Sequence, residues 1–404
     1  MNVLYLNHYA GSLSMGMEFR PYYLAKEWVK MGHNVRIVAG DYSHLRIKNP
    51  NVKRNFQTKT IDEIKYTWIK TGKYEGNGVK RAITMFKFVG KLWYHAKGLA
   101  RAWKPDVVIT SSTYPLDTYA GQRIAKYAKA KYIHEVHDMW PATLYEIGGM
   151  SKTNPFVVLM QIAENSAYKH CDDLVALLPN SKEYMVKHGL KPQKFHNLQN
   201  GVVEEEWGNT KELPQEHKEL FEKLKDKFIV AHFGGHALSN ALDLMLDVAK
   251  NDTDSEVAYV LVGNGVEKTR LIERKNKECL DNVYFLPPVE KEMIPSLVDH
   301  FDCSYMGATD SPLYKYGLCM NKMYDSMMAA TPIICAIKAK NTLVEQYGCG
   351  FMVDPSDIKS ILNGIHKLKN MPQTERNEIG NNGKKAVLEH FTYKKLAEQF
   401  SKLF

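Results

Sequence analysis

Cysteine is scarce in this sequence, and its placement excludes two kinds of site. The six cysteines occur singly, with no CxxC pair and no paired histidines nearby, which argues against a zinc site or a disulfide scaffold. Long apolar runs are also missing, since no window reaches the roughly 18 to 20 apolar residues of a membrane span. Residues 1–7 lack the basic region and cleavage site of a signal peptide. We therefore expect a cytoplasmic chain without an integral membrane segment.

The excess of positive charge is small. Lys and Arg total 54 and Asp and Glu total 45, a formal net charge of +9. This balance favours anionic ligands or anionic lipid, but it is too small to indicate nucleic acid. The 404 residues, with 44% hydrophobic and 25% charged side chains, suit a globular protein of two domains.

Short apolar runs alternate with helical stretches, as in parallel sheets doubly wound by helices. The predicted strands are residues 3–6, 35–39, 107–110, 132–136, 174–177, 229–233, 258–262, 283–286, 303–306 and 333–335. The charged stretch 204–227 interrupts this α/β pattern. We predict two Rossmann-like domains, residues 1–203 and 204–383, followed by a last helix in residues 384–404 that packs back on the first domain.

The loop of residues 8–16 joins the first strand to the first helix. A strand end and a helix amino terminus converge on ligands at such loops, and Gly11 and Gly16 would let a phosphate or sugar approach the backbone. GxGxxG and a Walker lysine are both absent, so NAD and ATP motifs are not indicated. A plain connecting loop is the alternative.

Ionisable and aromatic residues follow the strand at 132–136. His137 leaves the sheet there, and Asp138, Trp140 and Pro141 form a stiff aromatic lip. His134 and His137 are one residue too close for HExxH and start on a strand, which excludes a zinc protease. These residues alone leave open whether His137 is functional or structural.

Two glycine pairs follow neighbouring strands of the second domain. Gly234 and Gly235 end one strand, and Gly263 and Gly265 end the next. Backbone amides at such positions can receive a diphosphate. Each pair could instead serve only a tight turn.

Lys322 and Asp325 are three residues apart in a predicted helix from about Asn321, so they share one helix face. A lysine there can neutralise phosphate, while a carboxylate can accept hydrogen bonds from ribose hydroxyls. A surface Lys and Asp pair is the alternative.

Residues 79–94 mix basic and apolar side chains. The basic residues are Lys80, Arg81, Lys87 and Lys91, and the apolar ones include Met85, Phe86, Phe88, Leu92 and Trp93. Such a helix can lie on an anionic bilayer, each basic residue contributing on the order of 1 kcal/mol. An ordinary helix covering the sheet is the alternative.

Together these stretches resemble glycosyltransferase family 4, whose members are retaining enzymes of the GT-B fold, over nearly the whole chain. The resemblance is carried by Arg20 and by residues 135–141, 178–180, 200–202, 263–265, 321–325 and 330–332. The nearest pattern is that of bacterial transferases in surface polysaccharide or O-antigen assembly. It implies two Rossmann-like domains facing each other across a cleft, the first binding an acceptor and the second a nucleotide-sugar.

The resemblance also implies roles for individual residues. It places His137 beside the donor's anomeric carbon, with Asp138 as a second catalytic residue and with Arg20 and Trp140 toward the acceptor. The implied donor-binding residues are Gly11, Gly234, Gly235, Gly263, Gly265, Val289, Leu318, Cys319, Met320, Lys322 and Asp325.

The sequence departs from the family at two places. The family's two glutamates, spaced by seven residues, match Gly317 and Asp325, so the first acid is missing and the backbone of residues 318–320 must contact the sugar. The family's basic pair is absent from residues 235–240. Lys322, Lys268 or Arg20 must supply that charge, and Lys322 is favoured.

The resemblance predicts retaining transfer of a sugar, of N-acetylhexosamine type, from a UDP-sugar to a lipid-linked or oligosaccharide acceptor. Residues 79–94 would hold the chain peripherally at the inner face of the plasma membrane. No metal or other cofactor is expected, and no DxD motif stands out. The alternatives are a nucleotide-sugar 2-epimerase and a non-catalytic nucleotide-sugar-binding partner of a polysaccharide complex.

Overall fold

The computed structural model describes residues 1–76, 78–208 and 210–404, which form two compact units. Unit 1 comprises Met1–Gln199 and Tyr393–Phe404, and unit 2 comprises Asn200–Thr392. The chain therefore divides slightly before the boundary predicted at residues 203 and 204. Each unit contains a parallel sheet with helical crossovers, so the prediction of two doubly wound α/β domains is confirmed.

Unit 1 is built on one mostly parallel sheet. Its strands are β1 (Asn2–Leu6), β2 (Asn34–Gly40), β3 (Gln57–Ile61), β4 (Ile64–Ile69), β5 (Val107–Thr110), β6 (Lys131–Val136), β7 (Asp173–Ala176) and β8 (Phe195–Asn197). They lie in the order β3-β4-β2-β1-β5-β6-β7-β8, and only β3 and β4 pair antiparallel. All of β5 is buried, as expected for a strand covered on both faces.

The helices of unit 1 connect these strands. They are α1 (Arg20–Lys30), α2 (Val79–Trp103), α3 (Thr118–Ala128), α4 (Ala142–Glu146), α5 (Pro155–His170) and α6 (Lys182–Lys187), with 3-10 turns at Pro115–Asp117 and Pro192–Lys194. Helix α1 has Pro21 in its first turn, where a missing N–H leaves no helix hydrogen bond unmade. It buries Leu24 and Trp28.

Unit 2 repeats this architecture with a wholly parallel sheet. Its strands are β9 (Phe228–Gly235), β10 (Val257–Asn264), β11 (Val283–Leu286), β12 (Cys303–Gly307), β13 (Ile333–Ala336) and β14 (Gly350–Met352), in the order β11-β10-β9-β12-β13-β14. The helices are α7 (Gln215–Lys223), α8 (Leu242–Asn251), α9 (Lys268–Lys277), α10 (Ile294–Val298), α11 (Asn321–Met328), α12 (Leu343–Tyr347), α13 (Ile358–Asn370) and α14 (Gln373–His390). The 3-10 turns are Glu204–Trp207, Leu238–Asn240, Lys291–Met293 and Pro312–Tyr316.

The last predicted helix is wrong in extent. Residues 384–403 do not form one helix, because α14 ends at His390 and a separate α15 (Tyr393–Ser401) follows. The intervening chain pairs within unit 2, where the N–H of Val202 donates to the carbonyl of Phe391 at 2.9 Å. Helix α15 belongs to unit 1, where the indole N–H of Trp28 donates to the carbonyl of Ala397 at 3.1 Å.

The hairpin of β3 and β4 was not predicted. Its turn residues Asp62 and Glu63 both have positive φ, 47° and 66°, a conformation that Asn and Gly usually supply. Strand β3 is polar and largely exposed, so it lacks an apolar pattern. Across the three described ranges, no helix combines the length and hydropathy needed to cross a membrane.

Candidate active site

A cluster of polar side chains surrounds His137 at the carboxyl end of β6. The Nε2 atom of His137 lies 3.1 Å from Oε2 of Glu135 and 2.8 Å from Oγ of Ser111. Its Nδ1 atom lies 3.7 Å from Oε1 of Glu18, which is too far for a hydrogen bond. One ring nitrogen is therefore fixed by the protein, and the other faces a carboxylate across a gap.

Sheet register explains why these residues meet. Strands β1, β5 and β6 are neighbours, and Tyr5 pairs with Ile109, which pairs with Ile133. The Tyr5 hydroxyl donates to Oε2 of Glu135 at 2.5 Å, and the Ser111 hydroxyl donates to the same oxygen at 2.7 Å. Sequence reasoning did not assign a role to Glu135, although a carboxylate inside an apolar strand signals a buried partner.

Arg20 holds the other side of Glu135. Its Nε donates to Oε1 of Glu135 at 2.9 Å, and both groups are buried. Its two terminal nitrogens donate to the carbonyl oxygens of Gln199 at 2.7 Å and Leu198 at 3.0 Å. The Arg20 guanidinium is therefore engaged inside unit 1, and its contact with an acceptor stays a prediction.

These contacts set the charges of the cluster. Burial disfavours the imidazolium, but the hydrogen bond to Glu135 and the charges of Glu135 and Glu18 outweigh it, so the pKa of His137 is raised. Burial opposes ionisation of Glu135, but Arg20 and His137 together hold its pKa well below the usual range. The structure thus favours a charged imidazolium beside a carboxylate.

The loop of residues 8–16 is packed against its own chain. Gly11 is buried, and a Cβ atom there would lie 2.0 Å from the carbonyl oxygen of Gly16. The N–H of Gly11 donates to the carbonyl of Glu18 at 2.9 Å, and its carbonyl accepts from the Tyr66 hydroxyl at 2.7 Å. The folding of the loop therefore requires glycine at position 11. The presence of this glycine is explained without the predicted contact with a donor.

Trp140 and Asp138 border the His137 cluster. Both line a narrow pocket together with His137, Glu135 and Tyr114. Asp138 is exposed and Trp140 is half-buried. The structure thus brings three of the predicted unit 1 residues to one place.

In unit 2 the predicted glycines line a cavity of about 280 Å³. Gly234, Gly235, Gly263 and Val289 all form its wall. Gly263 pairs with Gly234 across neighbouring strands, and a Cβ atom on Gly263 would lie 1.8 Å from the Gly234 carbonyl oxygen. Only glycine permits this close approach of two strand ends. Gly265 lies beyond, against the His236 backbone.

Asn240 connects Lys322 to the glycine loop. The Lys322 ammonium donates to Oδ1 of Asn240 at 2.9 Å, and Nδ2 of Asn240 donates to the Gly235 carbonyl at 2.8 Å. Burial lowers the pKa of Lys322 to about 8. Lys322, the cation favoured from the sequence, is thus linked to Gly235 by Asn240, which the sequence analysis did not single out.

Asp325 and Lys268 have their own partners. Asp325 is buried, and its Oδ1 lies 3.4 Å from the Lys291 ammonium. Lys268 donates to the carbonyl oxygens of Gly263 at 2.7 Å and Leu286 at 2.9 Å. Lys322 therefore pairs with Asn240, whereas Asp325 pairs with Lys291. Lys291 is a further cation that the sequence analysis did not single out.

The segment before α11 explains the missing acid. Gly317 has φ of 105° and ψ of −179°, a conformation that is almost exclusive to glycine. Leu318 is buried in an apolar cluster, whereas Cys319 and Met320 are half-buried against it. A glutamate at 317 would require a different backbone.

Helix α2 buries one face and exposes the other. Met85, Phe88 and Leu92 are buried, as in an ordinary packed helix, whereas contact with a membrane stays a prediction. Its outer face still exposes large apolar side chains, which are Val79, Ile83, Phe86, Trp93 and Tyr94. The guanidinium of Arg123 lies 3.9 Å from the centre of the Trp93 ring.

Comparison with known proteins gives two family matches. Residues 15–206 match the family described as Glycosyltransferase Family 4, and residues 215–386 match the family described as Glycosyl transferases group 1. An uncharacterized glycosyltransferase of Methanocaldococcus jannaschii is 22% identical over 311 residues, covering 74% of each chain.

Solved structures share the whole fold. Sucrose-phosphate synthase from Thermosynechococcus elongatus superposes with a TM-score of 0.75 at 13% identity, covering 100% of this chain and 98% of that one. Anabaena HepE, solved in complex with UDP and glucose, superposes with a TM-score of 0.67 at 16% identity, with coverage of 100% and 98%. At these identities the similarity shows the fold alone.

Proposed function

The chain belongs to the glycosyltransferases of family 4 and has the GT-B fold, and on this premise we propose that it is a retaining hexosyltransferase. The donor is a UDP-sugar, of N-acetylhexosamine type. The acceptor is a lipid-linked or oligosaccharide intermediate of surface polysaccharide assembly, such as O-antigen. The GT-B protein HepE, whose structure contains UDP and glucose, supports a uridine nucleotide.

The observation that carries this proposal is the glycine-lined cavity of unit 2. Gly234, Gly235 and Gly263 let a ligand approach the ends of β9 and β10, and helices α8 and α9 begin shortly after them. Helix amino termini attract phosphate. Lys322, linked to Gly235 through Asn240, adds the positive charge that a departing diphosphate requires.

Transfer requires stabilisation of the leaving group more than a protein nucleophile. The bond between the anomeric carbon and the diphosphate oxygen breaks, and the acceptor hydroxyl attacks from the same face. The hydroxyl proton passes to the departing phosphate oxygen. Helix termini and Lys322 stabilise the developing diphosphate charge electrostatically, so the proposal includes no metal.

His137 is the proposed contact to the reacting sugar. Glu135 and Ser111 hold Nε2 of its ring, which orients Nδ1 for a ligand hydroxyl. Asp138, exposed beside the same pocket, is proposed as a second group at the reacting centre. Buried neighbours thus preorganise the ring before substrate binds.

A donor panel tests the proposal directly. Purified protein is mixed with UDP-, GDP- and dTDP-sugars and with lipid-linked saccharides, and nucleotide release is measured with and without EDTA. We expect UDP release that survives EDTA, a product with the donor's anomeric configuration, and loss of both in His137→Ala but not in the exposed control His170→Ala.

Two outcomes would contradict the proposal. Conversion of the UDP-sugar to its 2-epimer without an acceptor would indicate an epimerase. Binding of UDP-sugars without any turnover would indicate a binding partner.

We also propose that α2 holds the protein at an anionic membrane surface. Val79, Ile83 and Phe86 are exposed, and Lys80 and Lys87 lie beside them on the helix. Flotation with vesicles containing phosphatidylglycerol should decrease in the Ile83→Glu and Phe86→Glu variants. Equal flotation of wild type and both variants would remove this part of the proposal.

A further inference from the structure

A second cavity of unit 1, of about 790 Å³, is lined mainly by apolar side chains. It is formed by the first turns of α2, by α4 with the loop after it, and by the start of α5. Its apolar wall includes Ala82, Met85, Leu144, Ile147 and Phe156. Two of its polar lining groups are engaged within the chain, since the Thr143 hydroxyl donates to the Met139 carbonyl at 3.0 Å and Oδ1 of Asn154 accepts from the Phe156 N–H at 2.9 Å. The mainly apolar wall therefore fits an apolar group better than a sugar ring.

Two residues join this cavity to the His137 pocket. Thr113 and Trp140 line both spaces. Trp140 is half-buried. The apolar cavity and the His137 pocket therefore adjoin each other at Thr113 and Trp140.

Arg81 places a positive charge on the cavity wall. Its Nε donates to the Tyr9 hydroxyl at 3.2 Å, and the guanidinium lies 5.3 Å from the centre of the Tyr9 ring. These contacts fix the orientation of the guanidinium. The positive charge of Arg81 also acts on His44. Burial is the main cause that lowers the pKa of His44, and the charge of Arg81 lowers it further. An apolar cavity beside a fixed cation complements an apolar chain that carries a phosphate.

The rim of the cavity is also apolar. Val79 and Ile147 line it and remain 77% and 49% exposed. Lys80 is exposed next to Val79. A lipid chain could thus enter from a membrane surface without crossing a polar barrier.

We propose that this cavity binds the apolar chain of a lipid-phosphate acceptor, with the phosphate near Arg81 and a short saccharide reaching past Trp140 to His137. This inference rests on the proposed transferase function and narrows its acceptor class. A long saccharide would hold its reacting end far from the lipid. Because the cavity and the His137 pocket share walls, the saccharide between the lipid and the reacting end must be short.

Farnesyl phosphate is a suitable probe, with binding measured by calorimetry. Ala82→Trp fills the cavity, and Ala102→Trp is its matched control, an exposed position on the same helix. We expect wild type and Ala102→Trp to bind alike and Ala82→Trp to bind at least tenfold more weakly. Farnesol should bind more weakly than farnesyl phosphate in wild type, and this difference should shrink in Arg81→Gln.

A second pair of variants covers the case in which Ala82→Trp does not fold. Ile147→Glu places a negative charge at the exposed rim, and Ile162→Glu places one on an exposed part of α5 away from the cavity lining. We expect only Ile147→Glu to weaken farnesyl phosphate binding. Equal affinity in both variants, or in both tryptophan variants, would overturn the assignment.

UDP-induced thermal stabilisation of the same proteins separates this inference from the proposed function. If UDP stabilises all variants but the cavity substitutions do not change the affinity for farnesyl phosphate, only the cavity assignment fails. If UDP and UDP-sugars do not stabilise wild type, the transferase proposal fails, whatever the cavity binds.

Discussion

The Nε2 atom of His137 lies 3.1 Å from Oε2 of Glu135, and the carboxylate of Glu135 in turn pairs with Arg20 at 2.9 Å. The three groups form a chain of charges inside unit 1. Because a buried carboxylate favours the protonated imidazole, the charge of His137 depends on Glu135. Because Arg20 compensates the carboxylate, the charge of Glu135 depends on Arg20.

Glu135→Gln should lower the pKa of His137. The amide keeps the shape of the carboxylate but removes its charge, so burial then dominates. Proton NMR titration of the histidines measures the pKa. Urea denaturation should also show a loss of about 3–5 kcal/mol, because the buried Arg20 is left without its counter-charge.

Asp173→Asn is the matched control for Glu135→Gln. Asp173 lies 2.7 Å from His196 in the same unit, and its removal should leave His137 unchanged. A His137 pKa that is equal in wild type and Glu135→Gln would show that Glu135 does not set the charge of the ring.

The contribution of His137 to stability should decrease with rising pH. Its folded pKa is raised above the ordinary value, so the stabilisation is full below about pH 6.5 and is lost as the pH rises through the folded pKa. The destabilisation caused by His137→Gln should therefore be larger at pH 5.5 than at pH 9. Urea denaturation at both values measures it, and an equal difference would contradict the raised pKa.

Lys322 should make UDP binding depend on pH. Its pKa is lowered to about 8 by burial, so its positive charge is lost as the pH rises through that value. UDP affinity should fall above pH 8 in wild type. Calorimetry in buffers of different ionisation enthalpy should show proton uptake on binding at pH 8.

Two substitutions separate charge from shape at this position. Lys322→Met should weaken UDP binding by about 1.5–3 kcal/mol, the usual contribution of a charge-assisted hydrogen bond, and should remove the pH dependence. Lys322→Arg keeps a charge at all of these pH values, so its UDP affinity should not fall above pH 8. Wild-type affinity in Lys322→Met would exclude contact with the phosphates.

Much of the fold could be predicted because buried parallel strands are apolar runs. The predicted strands at 107–110 and 283–286 agree residue for residue with β5 and β11. Polar β3 and the positive-φ turn at Asp62 and Glu63 had no such signal. The prediction of a single last helix also failed at Phe391, because its backbone hydrogen bond with Val202 separates two helices.

The candidate site was predicted less completely, because its contacts are distant in sequence. His137 follows a strand and could be singled out. Tyr5 reaches Glu135 across 130 residues, and Lys322 reaches Asn240 across 82. Only sheet register and helix packing bring such pairs together, so the sequence pattern singled out Lys322 but missed Asn240, Tyr5 and Glu135.

Asp325 should recognise the ribose of the donor. A carboxylate that accepts from the 2′-hydroxyl distinguishes UDP from its 2′-deoxy form, and loss of one such bond costs about 1–3 kcal/mol. Wild type should bind UDP more tightly than dUDP, and Asp325→Ala, which removes the acceptor, should bind the two alike. The exposed Asp310 provides the control variant Asp310→Ala, which should retain the preference. Retention of the preference in Asp325→Ala would show that another residue recognises the ribose.

Gly317 should be required by backbone conformation. Its φ of 105° with ψ of −179° costs any other residue on the order of 1–3 kcal/mol, so Gly317→Ala should lower the free energy of unfolding by that amount. Gly98→Ala is the matched control, since Gly98 lies inside helix α2 with open space around it, and alanine there should add about 0.5–1 kcal/mol. Urea denaturation compares the two. If Gly317→Ala proved as stable as wild type, the missing acid at this position could no longer be attributed to the backbone, and a glutamate there should then be tolerated as well.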